Sequence, residues 1–309
     1  MKISVIIPLY NGEQTIKKTL DSLFSQKKFF DEVIIVDDGS SDESLEIAKN
    51  FEVKVIEHNK NKGLAASYNS GIRKAMGEVV VFLHQDVILY TEAMEKIIEP
   101  FDNSQVVCAY HYVFQPFEIW EKYSFWQKYF FCRWVNKKVY GMNGKFDAFS
   151  KRVLFEAGLF DEERFKSAGE DGDIMIRLKD KGEIVKTEAG ILHLHQFEKN
   201  FGFKDILYKQ AQLSEAQGAL YGKHGMFDGV TGLLKAFFRE ILLIGTLIPA
   251  IQIFSWIIIV FYCFFVSRAM LYREYKDQRT YLLPLVNFIL FFVSFIYSIK
   301  GFLLGKQKI

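Results

Sequence analysis

Residues 79–88 read VVVFLHQDVI, a run of β-branched and aromatic residues that stops on His84, Gln85 and Asp86. An unbroken apolar run suits a strand buried on both faces, as in a parallel sheet, rather than one that shows alternate residues to water. Polar side chains at the carboxyl end of such a strand stand where open α/β sheets bind their ligands. The stretch therefore implies a fold class and, within it, the place of a site.

On the N-terminal side the same unit repeats. KISVIIPL (2–9), DEVIIVDD (31–38) and VKVIEH (53–58) read as strands. Between them EQTIKKTLDSLFSQ (13–26) carries Ile16, Leu20, Leu23 and Phe24 at helical spacing, and Ser41-Asp42 looks like a cap for the helix ESLEIAKNF (43–51). LAASYNSGIRKAM (64–76) reads as the helix that leads into the strand at 78–84. Repeated strand–helix–strand units imply right-handed crossovers and an α/β sheet that is mostly parallel and flanked by helices.

Composition narrows the partners. Of 309 residues 50% are hydrophobic, and the net charge of +2 argues against nucleic acid, since no basic run interleaved with aromatics occurs. Cys108, Cys132 and Cys263 form no CxxC pair and no zinc spacing, which fits a reduced, cytosol-facing protein. Met1-Lys2 runs straight into a strand pattern, so no secretory signal is read.

The C-terminal third differs in kind. Residues 241–267 and 280–299 contain no charged side chain, and each is long enough to cross a hydrocarbon core of ~30 Å. Two transmembrane helices forming a hairpin are expected. Lys235, Arg239, Lys300, Lys306 and Lys308 flank them, yet the connecting RAMLYREYKDQR (268–279) is also basic, which the positive-inside rule disfavours for an outside loop. Pro249 and Pro284 would permit a re-entrant hairpin instead. The expected organisation is an α/β domain at 1–205 with an aromatic insert at about 110–140, amphipathic juxtamembrane helices at 206–240, the membrane helices at 241–304 and a basic tail at 305–309. The insert holds three of the four tryptophans; its rings suit either a membrane interface or an aromatic core.

Three acidic clusters end strands or open helices: Asp37-Asp38, Asp86 and Glu170-Asp171. Each alone could be a turn or cap. Strand ends that converge on one crevice would join at least the first two. Carboxylates beside an imidazole suit a hard divalent cation, Mg²⁺ or Mn²⁺, with Asp86 as ligand and His84, two residues along the strand, on the same face. His193 and His195 share a face and could complete the site.

ISVIIPLYNGEQTI, VIIVDDGSSDES, NKGLAASYNSGIRKAMGE, the strand-end HQD, GLFDE and GEDGDIMIRLKDKG together resemble the successive signatures of the family 2 glycosyltransferases, which have the GT-A fold. The resemblance covers about residues 1–200. It implies that Pro8, Tyr10, Glu13, Asp37, Asp38 and Asn69 hold the nucleotide of a nucleoside diphosphate sugar, that Asp86 binds the metal, and that Asp171 is the base with Glu170 beside it. One departure stands out: His84 occupies the place of the first acid of the DxD element, which leaves one carboxylate fewer for the metal, and His193 or His195 would compensate. The implied acceptor is membrane-associated, a lipid-linked or surface glycan, as in rhamnosyltransferases that extend polysaccharides at the cytoplasmic face of the cell membrane. A polyprenyl-phosphate monosaccharide synthase and a non-catalytic binding protein are the alternatives.

Overall fold

The computed structural model describes residues 1–166, 168–194, 201–226 and 228–305. In chain order the first half forms β1 (Ile3–Leu9), α1 (Ile16–Phe24), β2 (Glu32–Asp37), α2 (Ser44–Lys49), β3 (Lys54–Glu57), α3 (Leu64–Lys74), β4 (Val79–Leu83), β5 (Val87–Leu89) and α4 (Ala93–Ile98). There follow β6 (Val106–Phe114), α5 (Phe117–Trp120), α6 (Phe125–Phe131), β7 (Lys138–Tyr140), β8 (Phe146–Ser150), α7 (Lys151–Glu156), α8 (Glu170–Leu178) and β9 (Glu183–His193). The rest is helical: α9 (Phe203–His224), α10 (Gly229–Ala236), α11 (Phe238–Gly245), α12 (Gln252–Arg273) and α13 (Leu283–Leu304). The chain divides into two compact units, residues 1–119 with 134–199, and 120–133 with 200–309.

The first unit is built on one sheet of order β3-β2-β1-β4-β8-β6-β9-β5, with β7 on the edge of β6. Its N-terminal half, β3-β2-β1-β4, is parallel throughout. Beyond it β8 runs antiparallel to β4 and β6, while β9 returns parallel to β6. The unbroken apolar strands have the expected cause: side chains alternate between two buried faces. Val5, Ile7 and Leu9 of β1 pack with Ile16, Leu20 and Leu23 of α1 on one face, while Ile6 meets Tyr68 and Ile72 of α3 on the other. Because β1 lies between β2 and β4, the order of connection reverses at its carboxyl end, and a crevice opens there.

In the second unit α9 and α13 run parallel. Ser214 Oγ meets Ser294 Oγ at 3.1 Å, and one turn on, a Cβ at Gly218 would collide with the Ser298 carbonyl. A Cβ at Gly301 would collide with the carbonyl of Glu215, whose side chain pairs with Lys300 at 2.8 Å. Small residues at this seam let the two backbones touch. The Glu240 carboxylate of α11 accepts hydrogen bonds from Ser294 and Ser298 (2.8 and 2.9 Å). Two helices, Gln252–Arg273 and Gln278–Leu304, are long and apolar enough to cross a membrane. The aromatic segment 120–133 belongs to this unit as core. Trp120, Phe125, Tyr129 and Phe131 are buried, Tyr129 Oη donates to Asn287 Oδ1 (2.7 Å), and Lys128 pairs with Glu274 (2.9 Å).

Candidate active site

The crevice is framed first by backbone. β1 ends with Pro8 opposite Val36 and Leu9 opposite Asp37. The chain then turns through Tyr10 and through Asn11, whose φ of 48° is left-handed. Gln85 clips this turn to the end of β4: its Oε1 accepts the Tyr10 N–H (2.8 Å) and its Nε2 donates to the Tyr10 carbonyl (3.0 Å). Glu13 is exposed, donates its N–H to Asp42 Oδ2 (3.0 Å) and accepts the Glu43 N–H (3.4 Å). A cavity of about 90 Å³ lies between these loops, lined by Asn11, Glu13, Asp42 and Gln85 among others. Tyr10, which precedes Asn11, is 45% exposed.

Asp37 and Asp38 end β2 with opposite duties. Asp38 is saturated: Oδ1 takes the Lys62 N–H (2.9 Å) and His58 Nδ1 (2.7 Å), and Oδ2 takes the Gly63 N–H (2.8 Å). His58 continues to Ser70 Oγ at 2.9 Å, so Asp38 fastens the loop before α3. Asp37 is also buried, but its Oδ1 has no hydrogen-bond partner among the described residues. Asn69 is consumed locally: its amide donates to the Phe160 carbonyl (2.9 Å) and to Glu162 (2.6 Å), and its Oδ1 accepts the Phe160 N–H (3.0 Å).

The other half of the site gathers around Gly144. β4 stops at Leu83, so His84, Gln85 and Asp86 form a turn; strand alternation is not what brings His84 and Asp86 together. His84 Nδ1 is 4.0 Å from Asp86 Oδ1, and Asp86 Oδ2 meets His193 Nε2 at 2.8 Å across the β5–β9 pair. His195 lies outside the described residues. Gly144 has φ +72°, and the place its Cβ would occupy is 3.3 Å from Tyr68 Oη, 3.7 Å from His84 Nε2 and 4.0 Å from Glu170 Oε1. One point thus lies within 4.0 Å of groups from α3, the β4 end and the start of α8.

Burial sets the charges here. It pushes the His84 imidazole down to about 3, with the Asp86 carboxylate opposing, so this ring is neutral at physiological pH. It lifts Glu170 to about 8, with the neighbouring Asp171 charge adding to the shift. Asp171 is raised as well, chiefly by desolvation, while the Gly172 N–H on its Oδ1 (2.7 Å) and the Lys145 charge pull it back. Both carboxyls are thus pushed up, since two acids buried side by side resist ionising together.

A divalent cation finds a partial cradle. Among the described residues Asp86 Oδ1 and His84 Nε2 are buried without hydrogen-bond partners, and His193 adjoins Asp86. Among the described residues no three His, Cys, Asp or Glu side chains converge into a cage. One carboxylate with imidazole neighbours suits an ion that takes much of its shell from water and phosphate, as Mg²⁺ and Mn²⁺ do.

Several residues of this site had little sequence signal. Tyr68, Lys145 and His58 sit in ordinary helix and loop patterns. Asp147, fully buried on β8 with His111 Nδ1 at 2.9 Å, left one trace: an acid inside the strand FDAFS.

Comparison with known proteins places this arrangement. Over 118 residues, 37% of the chain, it is 34% identical to an uncharacterised glycosyltransferase of Nostoc sp., covering 37% of that protein. Over 119 residues it is 34% identical to the cholesterol galactosyltransferase of Borreliella burgdorferi, again 37% of this chain and 33% of the relative. The chain thus spans about a third of the length of the curated relatives it matches. A mannosyltransferase from Pyrobaculum calidifontis, solved with GDP-mannose and Mn²⁺, superposes with a TM-score of 0.60 at 12% identity over 96% of this chain and 86% of that one. Glucosyl-3-phosphoglycerate synthase from Mycobacterium tuberculosis, solved with Mn²⁺ and UDP, gives 0.52 at 18% identity over 71% and 78%. Both likenesses are of fold, the GT-A type of α/β sheet. Residues 4–160, half of the chain, match the family model for glycosyl transferase family 2, and the chain belongs to that family.

Proposed function

We propose that the protein is an inverting glycosyltransferase that moves a sugar from a nucleoside diphosphate donor to a membrane-associated glycan or lipid-linked acceptor. The observation that carries this is the convergence at Gly144 of His84, beside Asp86, and Glu170, beside Asp171, with buried polar atoms of His84, Asp86 and Glu170 left without hydrogen-bond partners among the described residues. Unpaired buried polar atoms are costly, and ligand groups are the usual relief.

The acceptor hydroxyl attacks the anomeric carbon as the bond to the diphosphate oxygen breaks, and the diphosphate leaves with the electron pair. Asp171 takes the hydroxyl proton, and Glu170, protonated beside it, keeps the negative charge of the pair on Asp171. A single displacement inverts the anomeric configuration. Asp86, with His84 and His193, would hold a Mg²⁺ or Mn²⁺ ion, which when bound neutralises charge on the departing diphosphate. Pro8, Tyr10, Glu13 and Asp37 line the nucleotide side, while Asp38 and Asn69 shape it through the loops they fasten.

The relative named a cholesterol galactosyltransferase supports a lipid-side acceptor, as do the two long apolar helices. The membrane is then the cell membrane, with the transfer site on the cytoplasmic face, where the buried free thiols Cys108, Cys132 and Cys263 stay reduced. The motif set favours extension of a polysaccharide, in the manner of rhamnosyltransferases.

Calorimetry of UDP, GDP and dTDP binding to the full-length protein in detergent, with Mn²⁺ and with EDTA, tests the reading. Metal-dependent binding of one nucleotide, weakened at least tenfold by Asp86→Ala, is expected. Failure of all three to bind under either condition would overturn it.

A further inference from the structure

We propose that the buried His111–Asp147 pair is the positioning device of the transfer site, acting through the Asn143–Gly144–Lys145 turn, and that Gly144 sets the clearance between the His84–Asp86 side and the Glu170–Asp171 side. The proposal rests on the transferase reading and adds to it His111, Asp147, Asn143, Lys145 and Tyr68, which that reading does not use.

Asp147 and His111 have no exposed surface, on neighbouring antiparallel strands in the middle of the sheet. The Asp147 carboxylate holds three donors: His111 Nδ1–H at 2.9 Å, the Asn143 N–H at 3.1 Å and the Gly144 N–H at 2.7 Å. The turn is held from its other side as well. Tyr68 Oη donates to the Gly144 carbonyl (2.8 Å), and the His84 N–H donates to the Lys145 carbonyl (2.9 Å). Four backbone groups of one turn, the N–H groups of Asn143 and Gly144 and the carbonyls of Gly144 and Lys145, are therefore tied to β8, α3 and the end of β4. Such a tie fixes the turn against the residues that would bind donor and acceptor.

Two features exceed what a plain turn needs. His111 Nε2 is buried with no hydrogen-bond partner among the described residues, a cost that an apolar residue at this strand position would avoid. Gly144 adopts φ +72° and is enclosed by side-chain polar atoms of Tyr68, His84 and Glu170 rather than by backbone. A side chain here would intrude between the groups that must face one another across a sugar. Lys145 follows directly, and its charge is felt by His84, Glu170 and Asp171, so moving the turn also moves the cation of the site. Sub-ångström misplacement of such groups weakens catalysis far more than binding.

The test uses the full-length protein in the membranes of the cells that make it. Consumption of UDP-glucose, GDP-mannose and dTDP-rhamnose is measured with Mn²⁺, alongside nucleotide Kd and thermal unfolding of purified protein. Asp147→Asn is expected to lower kcat on the order of twentyfold with nucleotide Kd within twofold of wild type. Tyr68→Phe, an isosteric change that removes only the bond to the Gly144 carbonyl, lowers the melting temperature by a few degrees and lowers kcat about fivefold at temperatures where the protein stays folded. Wild-type kcat in both variants, with or without a lowered melting temperature, would make the pair a scaffold and overturn the inference alone. A wild type that binds no nucleotide and consumes no donor would overturn the transferase reading, and this inference with it.

Discussion

At the scale of single residues, neighbours in sequence carry unlike burdens. Asp38 spends both oxygens on the loop before α3, whereas Asp37 keeps Oδ1 unpaired. Removing a buried acceptor with three donors strands those donors, so Asp38→Ala should cost about 3 kcal/mol of stability, read by urea unfolding in detergent. Asp37→Ala should cost under about 1 kcal/mol and weaken nucleotide binding instead. Equal stability losses would show that the two acids are interchangeable props. Glu170 gives a pH signature. Its folded pKa, about 8, lies above the ordinary carboxylate value, so the folded state resists ionisation that the unfolded state accepts freely. Glu170→Gln should therefore leave the melting temperature in EDTA unchanged near pH 4.5 and raise it progressively up to pH 8, with a plateau above. A gain that does not vary with pH would refute the burial account. Replacing Asp171 with Asn should lower donor consumption by roughly 10²- to 10⁴-fold, and most of the rate surviving would remove it as the base.

At the scale of elements, much of the first unit was legible because its signal is local. VVVFL and VIIV are unbroken apolar runs, and the polar residues that end them mark the crevice. What failed to show is nonlocal: Asp147 matters through His111, Asn143 and Gly144, and no spacing in FDAFS discloses such partners. Alternation placed His84 and Asp86 on one strand face, whereas the strand stops at Leu83 and a turn brings them near each other. The rings of 120–133 suited either an interface or a core; Trp120, Phe125, Tyr129 and Phe131 are buried, and Tyr129 reaches Asn287, far along the chain. The α9–α13 seam is likewise invisible until both helices are seen together. Gly218→Leu or Gly301→Val should force the helices apart and cost about 3 kcal/mol or more, measured as a fall in thermal stability of the detergent-solubilised protein. Full retention would mean that the seam has slack.

At the scale of the molecule, the chain passes into the second unit twice, at 120–133 and again from 200 onward. A truncation after residue 199 therefore does more than delete helices. It strips the cover from Trp120, Phe125, Tyr129 and Phe131, and such a chain should aggregate. Replacing 120–133 with a Gly/Ser linker in the same truncation should restore solubility and nucleotide binding, checked by size exclusion and calorimetry. Solubility of the simple truncation would show that the segment is held by something other than the C-terminal helices.

The same interleaving has a consequence in time. Lys128 and Tyr129 leave the ribosome roughly 150 residues ahead of Glu274 and Asn287, a delay of about 8–30 s at ordinary synthesis rates. For that interval the nascent chain carries an aromatic cluster whose partners have not been made. Holding that cluster off misassembly falls to chaperones, so slowing translation between the two segments should cost more yield than slowing it anywhere upstream.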